Sequence, residues 1–267
     1  MHKVKNIDKI TAKKIYNKNY VDEMYFLFSH EIKWKTEYVI KCIDEILKIT
    51  KKDKLKILDV GGGFGFVMHF VGEYCRSKNI EVEKHFLDIS KQFLEAQIKM
   101  NPDFCSAKCE SIEDSNYKYK EFDIVILCDV LEHVYDLNKT LQVLKYITNW
   151  VIFTIPLEIN LEFFIFNLFS RWYNFLYQKY GHVRFFSYKI FKNLIERSLG
   201  KIVKYYYMNV FQLYLQKEFI KQKIQSKKIK HKIYLIIDII GAIIHKINPK
   251  LASWLFCDEL AALVKVY

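Results

Sequence analysis

Two short stretches bring together residue types that do chemistry. The first is Asp59-Val60-Gly61-Gly62-Gly63-Phe64-Gly65, an acid followed by a glycine-rich loop. Glycine permits tight turns and close backbone approach to a ligand, and free N–H groups at a helix start attract a negative group. The second is Cys128-Asp129-Val130-Leu131-Glu132-His133, where two carboxylates flank a histidine. An imidazole with its ordinary pKa near 6.5 suits proton abstraction. A third set, His182 and Arg184, adds another imidazole and one of only four arginines, a group that grips carboxylate or phosphate.

The loop excludes two common ligands. The dinucleotide pattern G-x-G-x-x-G/A, read from Gly61, needs a small residue where Phe66 stands, and no Gly-Lys-Ser/Thr follows for a nucleotide phosphate. An acid two residues before the first glycine repels a pyrophosphate and suits a cationic amine. S-adenosylmethionine carries such an amine, together with a carboxylate for the loop N–H groups.

These residues need elements to hold them. Lys56–Val60 is a short apolar run that leads straight into the glycines, and Phe66–Arg76 reads as a helix. Val82–Leu87 is a second strand ending at Asp88, Ser90–Met100 a helix, and Phe104–Ala107 a third strand. Phe122–Leu127 is a continuous apolar run of the central-parallel-strand kind. Leu137–Tyr146 is a helix, and Trp150–Ile155 a fifth strand that Pro156 is expected to stop. Such alternation predicts an α/β fold with a parallel, doubly wound sheet.

The flanks read differently. Within residues 6–50, Val21, Met24, Phe28, Val39, Ile43, Ile46 and Leu47 recur at helical spacing, which predicts two or three amphipathic helices. Leu157–Tyr177 reads as one helix, apolar on most sides, and Tyr188–Ser198 as another with Gly200 as its C-terminal cap. Ile202–Met208 is a strand, Phe211–Trp254 is basic and mostly helical, and Leu260–Tyr267 is a closing strand.

A chain of 267 residues, 51% hydrophobic and 27% charged, suits a packed globular protein and not a disordered one. The net charge of +12 invites a nucleic-acid reading. Lysine supplies almost all of it, however, and base readers lean on arginine. The charge is also uneven: residues 57–200 sum to −2, while 1–56 carry +6 and 201–250 carry +9. Nucleic acid is therefore not the expected partner. Cys42, Cys75, Cys105, Cys109, Cys128 and Cys257 form no CxxC pair and are expected to be reduced thiols of a cytoplasmic protein. No apolar run reaches the length of a membrane span, and residues 1–8 do not resemble a signal peptide.

The motifs together resemble the class I S-adenosylmethionine-dependent methyltransferases. D-x-G-x-G-x-G after the first strand, Asp88 in LDIS, Ala107–Ile112 beside the adenine position, FDIVILCDVLEHVYD (122–136), IFTIP (152–156) and GHVRFFS (181–187) occur in the family's order. The last blocks are similar to the subgroup that includes ubiquinone-type O-methyltransferases. The resemblance covers roughly residues 35–208 and the final strand. It implies a Rossmann-like seven-stranded sheet, mostly parallel with an antiparallel last strand. It also implies a helical lid at 1–54, a core at 55–209 containing the aromatic helix 157–177, a basic helical insert at 210–255 and a final core strand at 256–267.

The resemblance implies that Asp59, Gly61, Gly63 and Gly65 hold the donor's amino-acid end. Asp88 accepts the ribose hydroxyls beside Ile89, and Cys109 and Glu110 lie at the adenine, where Lys108 departs from the usual acid. Asp129 serves the donor's amine or the acceptor. His133 is the expected base; His182, which forms a second constellation with Arg184 over the sheet edge, is a further catalytic candidate, and Glu132 and Arg184 are expected at the acceptor. His30 and Trp34, four apart on one helix face, are lid candidates against a core role. The absence of N/D-P-P-Y/F after the fourth strand argues against base amines, and no metal is expected. The expected reaction is O-methylation of a small-molecule or sugar/phosphate-containing acceptor, with bacterial surface polysaccharide assembly as one setting for such enzymes. The alternatives are a quinone- or lipid-linked acceptor reached by peripheral contact at the inner membrane face, or a non-catalytic donor-binding partner subunit. A monomer or homodimer is expected.

Overall fold

The computed structural model describes residues 18–170, 172–216, 220–221, 225, 229–256 and 258–267. Seven strands form one sheet: β1 (Lys54–Val60), β2 (Glu81–Leu87), β3 (Ser106–Lys108), β4 (Phe122–Cys128), β5 (Thr148–Leu157), β6 (Gly200–Met208) and β7 (Asp258–Val266). Their order is β3-β2-β1-β4-β5-β7-β6. The first five run parallel; β7 pairs antiparallel with both β5 and β6. The strand order reverses between β1 and β4, so a crevice opens outside their carboxyl ends.

Helices cover both faces. On one face α1 (Lys18–Thr50), α2 (Phe66–Ser77) and α3 (Lys91–Met100) pack through Val39, Ile43, Ile46, Val67, Met68 and Leu94 against Ile57, Ile124 and Ile152. On the other, α4 (Leu137–Ile147) and α7 (Tyr188–Ser198) pack through Leu141, Leu144, Phe191 and Ile195 against Leu58, Val125 and Val151. Alternate strand residues thus serve opposite layers, as a sheet buried on both faces requires. In chain order α5 (Leu161–Ser170) and α6 (Trp172–Tyr180) follow β5, and α8 (Val210–Tyr214), α9 (Ile229–Ile247) and α10 (Pro249–Leu255) come between β6 and β7.

Four sequence expectations change. From residue 18 onward the N-terminal segment is a single helix of 33 residues, because no Gly or Pro interrupts it. The aromatic segment is not one helix from Leu157: β5 runs through Leu157, and α5 and α6 are separate elements. Pro156 does not stop β5. It lies beyond the last β4 pairing, Cys128 with Thr154, and faces Glu259 of β7, where its missing N–H breaks no β4 bond. Gly200 does not cap α7; Leu199 does. Gly200 opens β6, where a Cβ would stand 2.2 Å from the Lys265 carbonyl oxygen. Cys42, Cys75, Cys105, Cys109 and Cys128 are free thiols, and Cys257 lies outside the described residues.

Candidate active site

The glycine loop is shaped by three different constraints. Gly61 has φ +66°, and a Cβ there would meet the Val130 side chain at 2.8 Å, so the loop after β4 abuts the loop after β1. Gly65, φ +80°, lies against α3, where a Cβ would stand 2.8 Å from the Gln97 Cα. Gly63, φ +56°, has open space on its Cβ side. Left-handed backbone favours glycine at all three, and only at Gly63 is there room for something else to approach.

Two buried acids lie under this loop. Asp59 is fully buried, and neither carboxylate oxygen has a hydrogen-bond partner. Burial, and then the neighbouring Asp88, push its pKa up to about 7. Asp88 follows β2 and accepts from the Ser90 backbone N–H at 2.8 Å and from Gln97 Nε2 at 2.8 Å. Burial outweighs those bonds and raises it also to about 7. Ile89 is half-buried and its carbonyl faces the Cys109 thiol at 3.9 Å. Cys109 is exposed; Glu110 is half-buried and paired at 3.8 Å with Lys108, whose ammonium also lies over the Tyr117 ring. Asp59, Gly61, Gly63, Gly65, Asp88, Ile89, Cys109 and Glu110 thus lie at or just after the carboxyl ends of β1, β2 and β3.

The other edge is ionic and buried. Asp129 ends β4 with φ +55°, a left-handed conformation rare outside glycine, held by its N–H to the Thr154 carbonyl at 3.0 Å. Its carboxylate accepts from Thr154 Oγ1 at 2.9 Å and from Lys35. Lys35 also pairs with Glu31 and Glu259, each at 2.9 Å. Burial alone would raise Asp129, but Lys35 outweighs it and holds the acid below its ordinary range. Burial disfavours the Lys35 ammonium, yet its three carboxylates keep it firmly charged.

One turn further, Glu132 is buried and its Oε2 has no hydrogen-bond partner. Burial, and the charges of Asp129 and Glu158, push its carboxyl well above the usual range. Its backbone carbonyl accepts from the N–H groups of Val183 at 3.0 Å and Arg184 at 3.2 Å, which ties the 181–187 loop to the end of β4. His133 donates from Nδ1 to the Gly181 carbonyl at 3.2 Å, and its Nε2 faces Glu132 at 3.8 Å. Its ring meets that of His182 edge-on at 4.8 Å. His182 Nδ1 in turn faces the buried Glu158 carboxylate at 2.9 Å. Burial, reinforced by His182, lowers His133 to about 3, so the imidazole is neutral and its basicity is well below the ordinary value expected from sequence.

The structure thus gathers Asp129, Glu132, His133 and His182 as expected and adds four groups that local spacing does not reveal: Lys35, Thr154, Glu158 and Glu259. Only the Glu31–Lys35 spacing of four was visible in sequence as a helix pair. Two expected acceptor contacts lie elsewhere. Arg184 is half-buried and donates from Nη2 to the Tyr135 carbonyl at 2.6 Å, which fastens the 181–187 loop to the segment after β4, and its buried Nη1 has no hydrogen-bond partner. Trp34 is buried in a cluster with Met208, Val210, Phe211 and Ala261, which makes it a core residue and not a lid face. The His30 side chain lies outside the described residues. Phe185 stacks edge-on with Tyr173, and Phe186 is buried, anchoring the 181–187 loop.

Residues 58–150 match the family model described as a methyltransferase domain. The glycine loop, Asp88 and the end of β4 all fall inside that match. That stretch of the chain is therefore similar to a methyltransferase domain. A comparison with curated proteins finds no match. Among solved structures, this chain is similar to a geranyl diphosphate methyltransferase in complex with S-adenosylmethionine (TM-score 0.60, 9% identity, 94% of this chain and 92% of that one). It is also similar to phosphoethanolamine N-methyltransferase 2 of Haemonchus contortus (TM-score 0.56, 13% identity, 84% of this chain), of which it spans about half, 52%. A third similar structure is the [4+2]-cyclase SpnF (TM-score 0.52, 10% identity, 83% of this chain and 79% of that one). At these identities the likeness shows the fold, and the spread of reactions shows that the fold does not choose the acceptor.

Proposed function

We propose that this domain transfers the methyl group of S-adenosylmethionine to an oxygen of a small acceptor bearing sugar or phosphate. The observation that supports this is the placement of a buried acid–imidazole cluster directly beyond Val130, which itself touches Gly61. Donor and acceptor machinery are then neighbours. The donor amino-acid end lies over Gly61, Gly63 and Gly65 with its amine toward Asp59. The ribose hydroxyls donate to Asp88, and Ile89, Cys109 and Glu110 border the adenine.

Methyl transfer from a sulfonium is an in-line displacement with a neutral leaving group, so alignment supplies most of the catalysis. An alcohol acceptor must also lose its proton, and the carboxylates and imidazoles of this cluster are the groups placed to take it. Calorimetry with S-adenosylmethionine and S-adenosylhomocysteine tests the donor half; binding of neither overturns the reading. Transfer of labelled methyl to a panel of sugar, phosphate and phenol acceptors tests the rest. Donor binding without transfer to any oxygen acceptor favours the non-catalytic partner reading.

A second reading, a lipid-linked acceptor met at a membrane surface, is supported by α9. Its polarity is inverted. Asp238, Gly241 and His245 are buried, with Gly241 against the Phe211 ring and His245 facing Asp258 at 3.2 Å. Ile233, Ile236, Ile240, Ile243 and Ile247, spaced three and four apart, are exposed. Leu168 and Trp254 on neighbouring helices are exposed as well. The surrounding stretch, 201–250, carries +9, which opposes pairing with a second copy and favours an anionic bilayer. No described helix is long and apolar enough to cross a membrane. Flotation with phosphatidylglycerol vesicles is expected to carry the protein, and Ile236→Glu with Ile243→Glu to release it. A protein that stays behind overturns this reading, and a dimer lost in the same variant reassigns the stripe to self-association.

A further inference from the structure

The two imidazoles next to Glu132 are oriented in the same way. His133 gives its Nδ1 proton to the Gly181 carbonyl, and His182 gives its Nδ1 proton to the Glu158 carboxylate. In each ring this leaves Nε2 as the lone-pair nitrogen. Fixing one ring nitrogen by a carbonyl or carboxylate so that the other can bind is the usual outer-shell arrangement of a metal-ligating histidine. The third group, Glu132, is 1% exposed and has an oxygen with no hydrogen-bond partner. One ligand atom from each of Glu132, His133 and His182 lies within 4.8 Å of the other two. Ligand atoms of one tetrahedral ion stand about 3.4 Å apart, so the three groups are within roughly an ångström of sharing one.

Charge supports the same conclusion. Asp129, Glu132, Glu158, Glu31 and Glu259 surround this end of the crevice, and Lys35 pairs with three of them. Glu132 and Glu158 face the two imidazoles instead. A buried carboxylate without a cation is costly, and a bound metal offsets it.

We propose that Glu132, His133 and His182 form a binding site for a divalent first-row transition-metal ion, with an open coordination position for the acceptor oxygen. Two imidazoles and one carboxylate suit Mn2+, Fe2+, Co2+ or Zn2+ better than Mg2+, which prefers oxygen ligands and its own water. Glu158 and Gly181 act as the outer shell, and Asp129 stays with Lys35 and Thr154. The proposal rests on the donor reading above only for what the ion does: it places the acceptor oxygen beside the methyl group.

The test uses the full chain, stripped with a chelator and titrated with Mn2+ by electron paramagnetic resonance and with Zn2+ by calorimetry. S-adenosylhomocysteine binding is measured in parallel. One ion per chain is expected, bound at least about tenfold more weakly in His182→Ala and in Glu132→Gln, the second variant preserving shape. Both variants should bind S-adenosylhomocysteine as the parent does, which shows that they are folded. Normal S-adenosylhomocysteine binding with no uptake of either ion overturns the proposal, as does an ion whose affinity neither substitution changes. Uptake of the ion without any S-adenosylhomocysteine binding supports the site and overturns the donor reading instead.

Discussion

The two edges of the crevice are built by opposite means. The edge proposed for the donor is mostly backbone: three glycines in left-handed conformation, two strand ends and the acids Asp59 and Asp88. The edge proposed for the acceptor is mostly side chains, cross-linked by charge between α1, β4, β5, the 181–187 loop and β7. A backbone edge tolerates many side chains around it and keeps one ligand. A side-chain edge is rebuilt by a few substitutions, which fits a fold whose similar structures act on unlike molecules.

Breaking the acceptor edge should cost the most stability. Lys35→Met leaves the buried Asp129 and Glu259 without their cation, and a loss of about 3–5 kcal/mol is expected in urea unfolding. A loss below about 1 kcal/mol would place the pair among surface ion pairs and remove the contrast.

The next largest effects should separate the edges functionally. Asp88→Ala is expected to weaken S-adenosylhomocysteine binding about a hundredfold, since bonds to a buried charge are the stronger kind. His133→Ala should leave that affinity within about twofold and slow methyl transfer about a hundredfold. Equal loss of donor affinity in both variants would show one site and not two edges.

Gly63→Ala sharpens the donor edge. Its Cβ meets nothing, so only the left-handed backbone is penalised, by about 1–2 kcal/mol. Donor affinity should fall as well, because the methyl occupies the space kept for the ligand.

The smallest effect is a pH slope. Asp59 and Asp88 rise from 3.8 to about 7 in the folded chain. Below the ordinary value both states are protonated and nothing is lost. Above it the unfolded chain releases protons that the folded chain retains, so stability falls as pH rises and levels off above about 7. Asp88→Asn should flatten part of that slope in thermal melts of the ligand-free protein.

Much of the donor edge was legible because it is contiguous. An acid, the glycines and a strand–helix boundary lie within seven residues, and Asp88 ends an obvious strand. The strands β1, β2, β4 and β5 follow from apolar runs that no other element competes for. The departures have physical causes. Nothing in local pattern reveals that Pro156 sits beyond its β4 neighbour, or that Gly200 is needed for a passing carbonyl and not for a helix cap. Lys35 reads as an ordinary helix lysine until the fold brings positions 129 and 259 to it. Glu158 reads as part of an apolar helix, and the helix starts only at Leu161. His133 keeps its identity as a site residue, yet its basicity depends on burial that sequence does not display.

The strand β7 lies between β5 and β6, so the excursion from the end of β5 returns to the sheet first at the outer position, as β6, and then beside β5, as β7. Glu158 stands just past its exit and Glu259 near its return. Both are buried carboxylates of the acceptor edge. The excursion is therefore a handle fixed at two acids. His245 of α9 faces Asp258 at 3.2 Å, next to Glu259, so the inverted helix is joined to the return strand beside the acid that partners Lys35.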